Sequence, residues 1–373
     1  MREKIYFDNN ATTRIDDEVL NAMMPYLKEQ YGNPSSSYSF GKDIKKVIND
    51  ARNKLAGLIN AEDNEIVFTS CASESNTTAI MSAIKTDLSK KHIITTQVEH
   101  ASILETMKYL ESIGYYITYI PVDKQGRINI NDIRNAITDN TILISVMMAN
   151  NEIGNIYPIQ EIGKIAKEHN ILFHTDAVQA VGKINIDVKS LNIDMASFSG
   201  HKIHAPKGIG SLYIRNNTTF SPLIYGHQEK ERRGGTENVP YIVGIGKAAE
   251  LFIDNNIKIL RDKIEDDIKN NIEDYYIYGD LDNRLSNTLS IAFKGVKAEE
   301  LMLMLEAYNI YVSTGSACNS ESAEPSHVLI ACNADLDNYS PIRISLGKYN
   351  TEEEVNFFVK SLISIINTLR KRG

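Results

Sequence analysis

Cysteine is scarce in this sequence. The three present, Cys71, Cys318 and Cys332, stand too far apart in 373 residues for a disulfide framework, and no CxxC pair offers a thiolate metal site. No metal is expected, and each cysteine needs its own explanation. Positive charge is in deficit as well: 40 Lys and Arg against 48 Asp and Glu give a formal net charge of -8. No basic run interleaves with aromatic residues, which argues against a direct nucleic acid ligand. Long apolar runs are missing. The opening MREKIYFDNNATTRIDDEVL carries charges where a secretory signal needs an unbroken apolar stretch, and no segment reaches membrane-spanning length. A cytoplasmic protein without a membrane partner is the expectation. Internal repeats, low-complexity tracts, a GxSxG elbow and a Walker loop are also absent, and GIGSLY lacks the third glycine of a dinucleotide fingerprint.

What is there is an ordinary globular composition, 42% hydrophobic and 24% charged, in a chain long enough for one large core and a second, smaller one. From Glu65 to Ile214 short apolar runs alternate with helical patterns: EIVFTS, then ASESNTTAIMSAI; HIITTQV, then ASILETMKYLESIG; YYITYIPV, then INDIRNAI; TILISVMMA, then PIQEIGKIAKEHN; then ILFHTDA. Such alternation predicts a mainly parallel sheet covered on both faces. MASFSG and GIGSLYI read as two further strands around the turn HKIHAPK. Residues 239–272 read as one long connecting helix, and NTLSIAF, KAEELMLMLEAYN, PIRISLG and the last amphipathic stretch form a smaller α+β unit. The expected division is 15–258 for the large domain, with 1–14 and 259–373 as the small one.

Ligands in open parallel sheets bind beyond the carboxyl ends of the strands, so the residues just past each apolar run matter most. Cys71-Ala72-Ser73-Glu74 follows the first, at a helix start that suits a phosphate or a plain N-cap. Glu99-His100 follows the second, where an imidazole either lies over a planar ligand or is an ordinary surface histidine. Asn150-Asn151-Glu152 offers amides to a cleft or caps a loop. Asp176 closes a buried strand, where a carboxylate needs strong donors or a cation, either an ion-pair partner or a protonated heteroaromatic nitrogen. Ser199-Gly200-His201-Lys202 supplies an amine. Together these groups match what pyridoxal phosphate needs, a lysine for its Schiff base and an acid for its pyridinium nitrogen.

The chain resembles the NifS/IscS-type cysteine desulfurases, fold-type I pyridoxal phosphate enzymes of the class V aminotransferase family. The likeness runs through YFDNNATTRID (6–16), YGNPSSSYSFG (31–41), FTSCASESN (68–76), EHAS (99–102), ANNEIG (149–154), HTDAVQAVGK (174–183), SFSGHKIHAPKGIGSLYI (197–214), RRGGTENVPYIVG (232–244), STGSACNSESAEPSHVL (313–329) and PIRISLG (341–347). The resemblance implies that Lys202 carries the cofactor, that Asp176 pairs with its ring nitrogen, and that His100 stacks on the ring and moves substrate protons. It implies that Ala72, Ser73, Ser199 and His201 hold the phosphate, that Asn151 and Gln179 bond the ring oxygen, and that Arg343 and Asn33 bind the substrate. Thr236 is implied to reach the phosphate of a second subunit, making an obligate homodimer with shared active sites. Cys318, in a polar loop of small residues, is implied to take sulfur from L-cysteine as a persulfide, release alanine, and pass the sulfur to a protein acceptor, an iron-sulfur scaffold or a thiolation protein. A selenocysteine lyase, or another lyase or aminotransferase on the same cofactor, is the competing reading. Cys71 stands where the family usually has glycine.

Overall fold

The structure, a computed structural model, describes residues 4–251, 257–314 and 325–371. The chain starts with β1 (Ile5–Tyr6), α1 (Asp17–Lys28) and α2 (Ser39–Leu58). Helix α2 buries Ile44, Ile48, Ala51 and Leu55, spaced as one helical face, and so lies flat on the large core. The alternating region then runs β2 (Ile66–Thr69), α3 (Ala72–Thr86), β3 (His92–Thr96), α4 (Ala101–Ser112), β4 (Tyr116–Ile120), α5 (Ile130–Ala136), β5 (Thr141–Ser145), α6 (Ile159–Glu168), β6 (Leu172–Asp176), β7 (Met195–Ser199) and β8 (Gly210–Ile214).

These strands make a seven-stranded sheet among the described residues, in the order β2-β8-β7-β6-β5-β3-β4. The pairs from β4 to β7 are parallel, as the alternation predicts. Strand β8 departs from it, lying antiparallel to both β7 and β2. The physical reason is the ten-residue connection from Gly200 to Ile209, too short for a crossover helix. Since β8 is reversed against both neighbours, β2 still points the same way as β7. The carboxyl ends of β2, β3, β5, β6 and β7 therefore share one edge.

After β8 come a single turn, α7 (Gln228–Glu231), and α8 (Val239–Leu251), then α9 (Ile257–Asn271). Two helices are described within the stretch 239–272 that was expected to form one, and 252–256 between them lie outside the described residues. Each packs on different partners: α8 lies against α1 and α2, and α9 against the last helix of the chain. At the first crossing a Cβ on Gly246 would sit 2.6 Å from Ala51 Cα, so only glycine allows that approach.

The remaining elements are β9 (Tyr275–Tyr278), β10 (Thr288–Phe293), α10 (Ala298–Glu306), β11 (Ile310–Tyr311), α11 (His327–Ala331), β12 (Pro341–Ser345) and α12 (Glu352–Arg370). Strands β12, β10 and β9 form an antiparallel sheet, and β1 pairs with β11. This second layer has a core of its own, in which Ile5 and Phe7 from the start of the chain join Ile264, Leu289, Phe358 and Leu362. Cys332 is buried in the larger core, where loss of solvent pushes its thiol up to about 12.

Candidate active site

At the shared strand edge lies an open cavity of about 690 Å³, within the usual range for small-ligand sites. Its first wall is the start of α3. Cys71 takes the N-cap position but its side chain caps nothing, so the first-turn amides behind Ala72 and Ser73, both cavity residues, are left to a ligand. The acid of that turn is drawn elsewhere. Glu74 accepts from Ser70 N at 2.8 Å and Arg233 Nε at 2.9 Å; burial alone would raise its carboxyl, but Arg233 and Ser70 together hold it below the usual range. Ser199 and His201, from the end of β7, line the same wall. Burial, with Lys202 beside it, pushes the His201 ring down to about 4, so it is neutral at physiological pH.

Opposite stand Asp176 and Lys202. Asp176 is 5% exposed and accepts from Asn76 Nδ2 at 2.8 Å and Val178 N at 3.0 Å; no cation pairs with it among the described residues. Asn76 Nδ2 also donates to Ser102 Oγ at 2.9 Å, which leaves the Ser102 hydroxyl hydrogen for His100 Nδ1, again at 2.9 Å. The same Nδ1 accepts from Ser102 N. With two donors on Nδ1, the ring proton of neutral His100 belongs on Nε2. The Lys202 amine donates to backbone carbonyls, Asn10 O and, at 2.8 Å, Ala11 O.

The back of the cavity is polar and densely bonded. Arg343, 1% exposed, donates to Asp8 Oδ1 at 2.7 Å and to Asn151 O at 3.1 Å, and its Nε has no acceptor among the described residues. Gln179 donates through Nε2 to Asn10 O at 3.0 Å, and its Oε1 accepts from Lys183 Nζ at 2.8 Å. Asn10 spans both layers: its Nδ2 donates to Asn151 O and Thr288 Oγ1, and its Oδ1 accepts from Lys183 and Asn287.

Of the residues singled out in the sequence, His100, Asn151, Asp176, Gln179, Lys202 and Arg343 thus share this cavity with Ala72, Ser73, Ser199 and His201, the residues expected to hold a phosphate. Asn33 does not line it; it is exposed and caps its own loop by accepting from Ser35 N. Thr236 is exposed and also outside its own chain's cavity. Cys318 falls in 315–324, outside the described residues; the described chain resumes at Pro325, which lines the cavity together with His327. Sequence reasoning passed over Asn10, Asn76, Ser102 and Lys183, although Lys183 had a visible signal, a charge inside the apolar stretch AVQAVGKI.

The class-V aminotransferase family matches residues 5–358. The chain belongs to that family. A cysteine desulfurase of Nostoc sp. PCC 7120 is 48% identical, covering 98% of this chain and 94% of its own. A solved NifS-like protein superposes with a TM-score of 0.92 at 40% identity, over 98% of this chain and 100% of its own. A second structure, titled SspA in complex with cysteine, gives a TM-score of 0.84 at 39% identity, over 94% and 100%. Class-V enzymes of this kind use pyridoxal phosphate, and the residues here fit it. A buried carboxylate without a cation suits a pyridinium nitrogen, an uncapped helix start suits a phosphate, and a lysine amine resting on carbonyls lies in the same cavity. Among the described residues no cluster of His, Cys, Asp and Glu could hold a metal ion, and no helix is long and apolar enough to cross a membrane.

Proposed function

We infer that this cavity is the active site of a pyridoxal phosphate-dependent cysteine desulfurase, an assignment of activity in line with the chain's relatives. The observation that carries the site reading is Asp176, a buried carboxylate supplied with hydrogen-bond donors and left without a cation, in one cavity with Lys202. Ala72, Ser73, Ser199 and His201 would hold the phosphate, Asp176 the ring nitrogen, Asn151 and Gln179 the ring oxygen, and Lys202 the aldehyde carbon. Bound there, pyridoxal phosphate supplies an electron sink for the α-carbon of an amino acid. The protein's own groups do the rest. Arg343 orients the substrate carboxylate, Lys202 and His100 move protons, and the Cys318 thiolate takes the substrate sulfur. The Cβ–S bond of L-cysteine breaks, an S–S bond forms on Cys318, and the thiol hydrogens end on alanine and the persulfide, so no outside oxidant is needed.

Incubation of the purified protein with L-cysteine alone should give alanine and one added sulfur on the Cys318 peptide by mass spectrometry. Cys318→Ser should keep the bound cofactor and its colour but lose both products, because a hydroxyl is a far poorer nucleophile than a thiolate. Undiminished alanine from that variant would overturn the assignment.

The reading extends to a homodimer. Thr236 is solvent-exposed outside its own cavity, and the residues leading to it, Leu223, Ile224 and Tyr225, are 37%, 39% and 73% exposed. Both facts support a segment that reaches a second subunit's phosphate. Thr236→Ala should then weaken cofactor retention about tenfold or more, the worth of a charge-assisted hydrogen bond. Full activity from a monomer in sedimentation would refute it. We also propose the division into 15–258 and 1–14 with 259–373, a cytoplasmic setting, and a protein sulfur acceptor, an iron-sulfur scaffold or thiolation protein.

A further inference from the structure

Lys183 is half-buried, with its amine bonded inside the protein rather than extended into solvent. It stands four residues after Gln179, beyond the back wall of the cavity, and no carboxylate pairs with it among the described residues. Burial, with the positive charges of Lys202 and Arg343 nearby, pushes its amine down to about 7. Its hydrogen bonds run to two amide oxygens, Gln179 Oε1 at 2.8 Å and Asn10 Oδ1 at 3.1 Å. Placing an amine there has a cost in lost solvation, and the return on it is in what it does to Gln179.

A side-chain amide can be turned either way, and its neighbours decide which. With Oε1 on the Lys183 amine, Gln179 Nε2 donates to Asn10 O at 3.0 Å and keeps a second hydrogen. The opposite orientation would set amide N–H against amine N–H and Oε1 against Asn10 O. The second contact would turn repulsive in any state, and the first whenever the amine is protonated. Asn10 cannot relieve the conflict by moving, since its side chain is held by Asn151 O, Thr288 Oγ1 and Asn287 Nδ2. Gln179 lines the cavity, so it meets a ligand there as a donor.

We propose that Lys183 is a positioning residue that fixes Gln179 as a hydrogen-bond donor to the ring oxygen of the cofactor. The inference rests on the site reading above and adds to it a residue that never touches the ligand. It selects an anionic or acceptor oxygen at that place on the ring, and it predicts that the effect of Lys183 passes through Gln179 alone.

The test uses apoprotein prepared from the full chain as wild type, Lys183→Met, Gln179→Leu and the double variant, each titrated with pyridoxal 5'-phosphate and with its 3-deoxy analogue, which lacks the ring oxygen. Lys183→Met should weaken binding of pyridoxal phosphate about tenfold, the worth of one hydrogen bond, and shift the pH midpoint of the bound cofactor's visible absorbance. In the Gln179→Leu background the same change should add nothing, and with the 3-deoxy analogue it should make no difference. Lys183→Gln, which keeps an N–H donor, should recover most of the loss and serves if the methionine variant does not fold. Equal losses with both ligands, full additivity with Gln179→Leu, or unchanged affinity and spectrum would each overturn the proposal. Wild-type protein that binds no pyridoxal phosphate, or that borohydride labels at a lysine other than Lys202, would instead sink the site reading beneath it.

Discussion

His100 owes its protonation to residues that no strand-end argument reaches. Its Nδ1 is occupied by the Ser102 amide and hydroxyl, and that hydroxyl is oriented by Asn76, which also serves Asp176. The carboxylate proposed for the ring nitrogen and the imidazole proposed for the ring face therefore share one chain of donors. Ser102→Ala removes a link and frees Nδ1 to exchange tautomers. Turnover should fall roughly tenfold, the worth of one hydrogen bond, and the pH profile of kcat should move, while cofactor affinity holds. An unchanged profile would show that the Ser102 hydroxyl does not set the His100 tautomer. The sequence made His100 visible because it follows an apolar strand. It hid Asn76 and Ser102, because Asn and Ser inside the helical patterns ASESNTTAI and HASIL look like ordinary surface choices until three dimensions bring them together.

Among the elements, the turn at α7 shows most clearly how local strain is held. Glu229, Lys230 and Glu231 have φ of 50°, 58° and 64°, in the left-handed region that costs a non-glycine residue free energy. The compensation is Glu229 itself. It is buried, accepts from both guanidinium nitrogens of Arg52 at 2.7 Å, and takes the Phe68 amide at 2.9 Å, tying the turn to α2 and β2. Arg233 makes a second tie, to Glu74 in the first turn of α3. Glu229→Ala strands the Arg52 charge in a dry site and should cost about 3–5 kcal/mol in urea denaturation, with early proteolytic cleavage near residues 221–236. A loss below 1 kcal/mol would mean the turn does not need its anchor. None of this was legible beforehand, since a charged run such as QEKERR reads as solvated loop. The reversed strand β8 was equally hidden: in an all-buried strand, apolar periodicity carries no direction.

For the whole molecule, acid is the informative stress. His174 is fully buried between Ser145 and Ser197, and burial pushes it from an ordinary 6.5 down to about 3; His201 falls to about 4, and His92 and His204 are lowered too. Each therefore binds its proton more readily unfolded than folded, so the stability it contributes is present above pH 6.5 and drains away as pH falls toward the folded value. Glu99 runs the other way. Burial lifts its carboxyl to about 8, so between its ordinary 4.5 and that value the folded state holds the extra proton and loses stability as pH rises. The histidines outnumber it, and the urea midpoint should drop between pH 7.5 and pH 5. His174 alone accounts for about 2 kcal/mol of that span, so His174→Gln should flatten the slope by that amount; an unaltered slope would show that His174 is not held neutral. The mainly parallel sheet was readable from the alternation. Ile5 and Phe7, from the segment 1–14 expected in the small domain, do lie in the smaller core, although two apolar residues carry no period of their own to read.

The contacts of Asn10 bear on how the enzyme is made. Its amide rests on Ser345 Oγ, Asp8 beside it pairs with Arg343, and its carbonyl holds Lys202. Asp8 and Asn10 thus find their partners in a strand that emerges more than three hundred residues later. A nascent chain that has released β7 and Lys202 already has the wall proposed for the phosphate, yet lacks the Ser345 anchor of Asn10, whose carbonyl supports the amine, and the arginine proposed for substrate. Firm cofactor capture should therefore wait for β12, and translation halted before that strand should leave a protein that takes up pyridoxal phosphate loosely and turns over nothing.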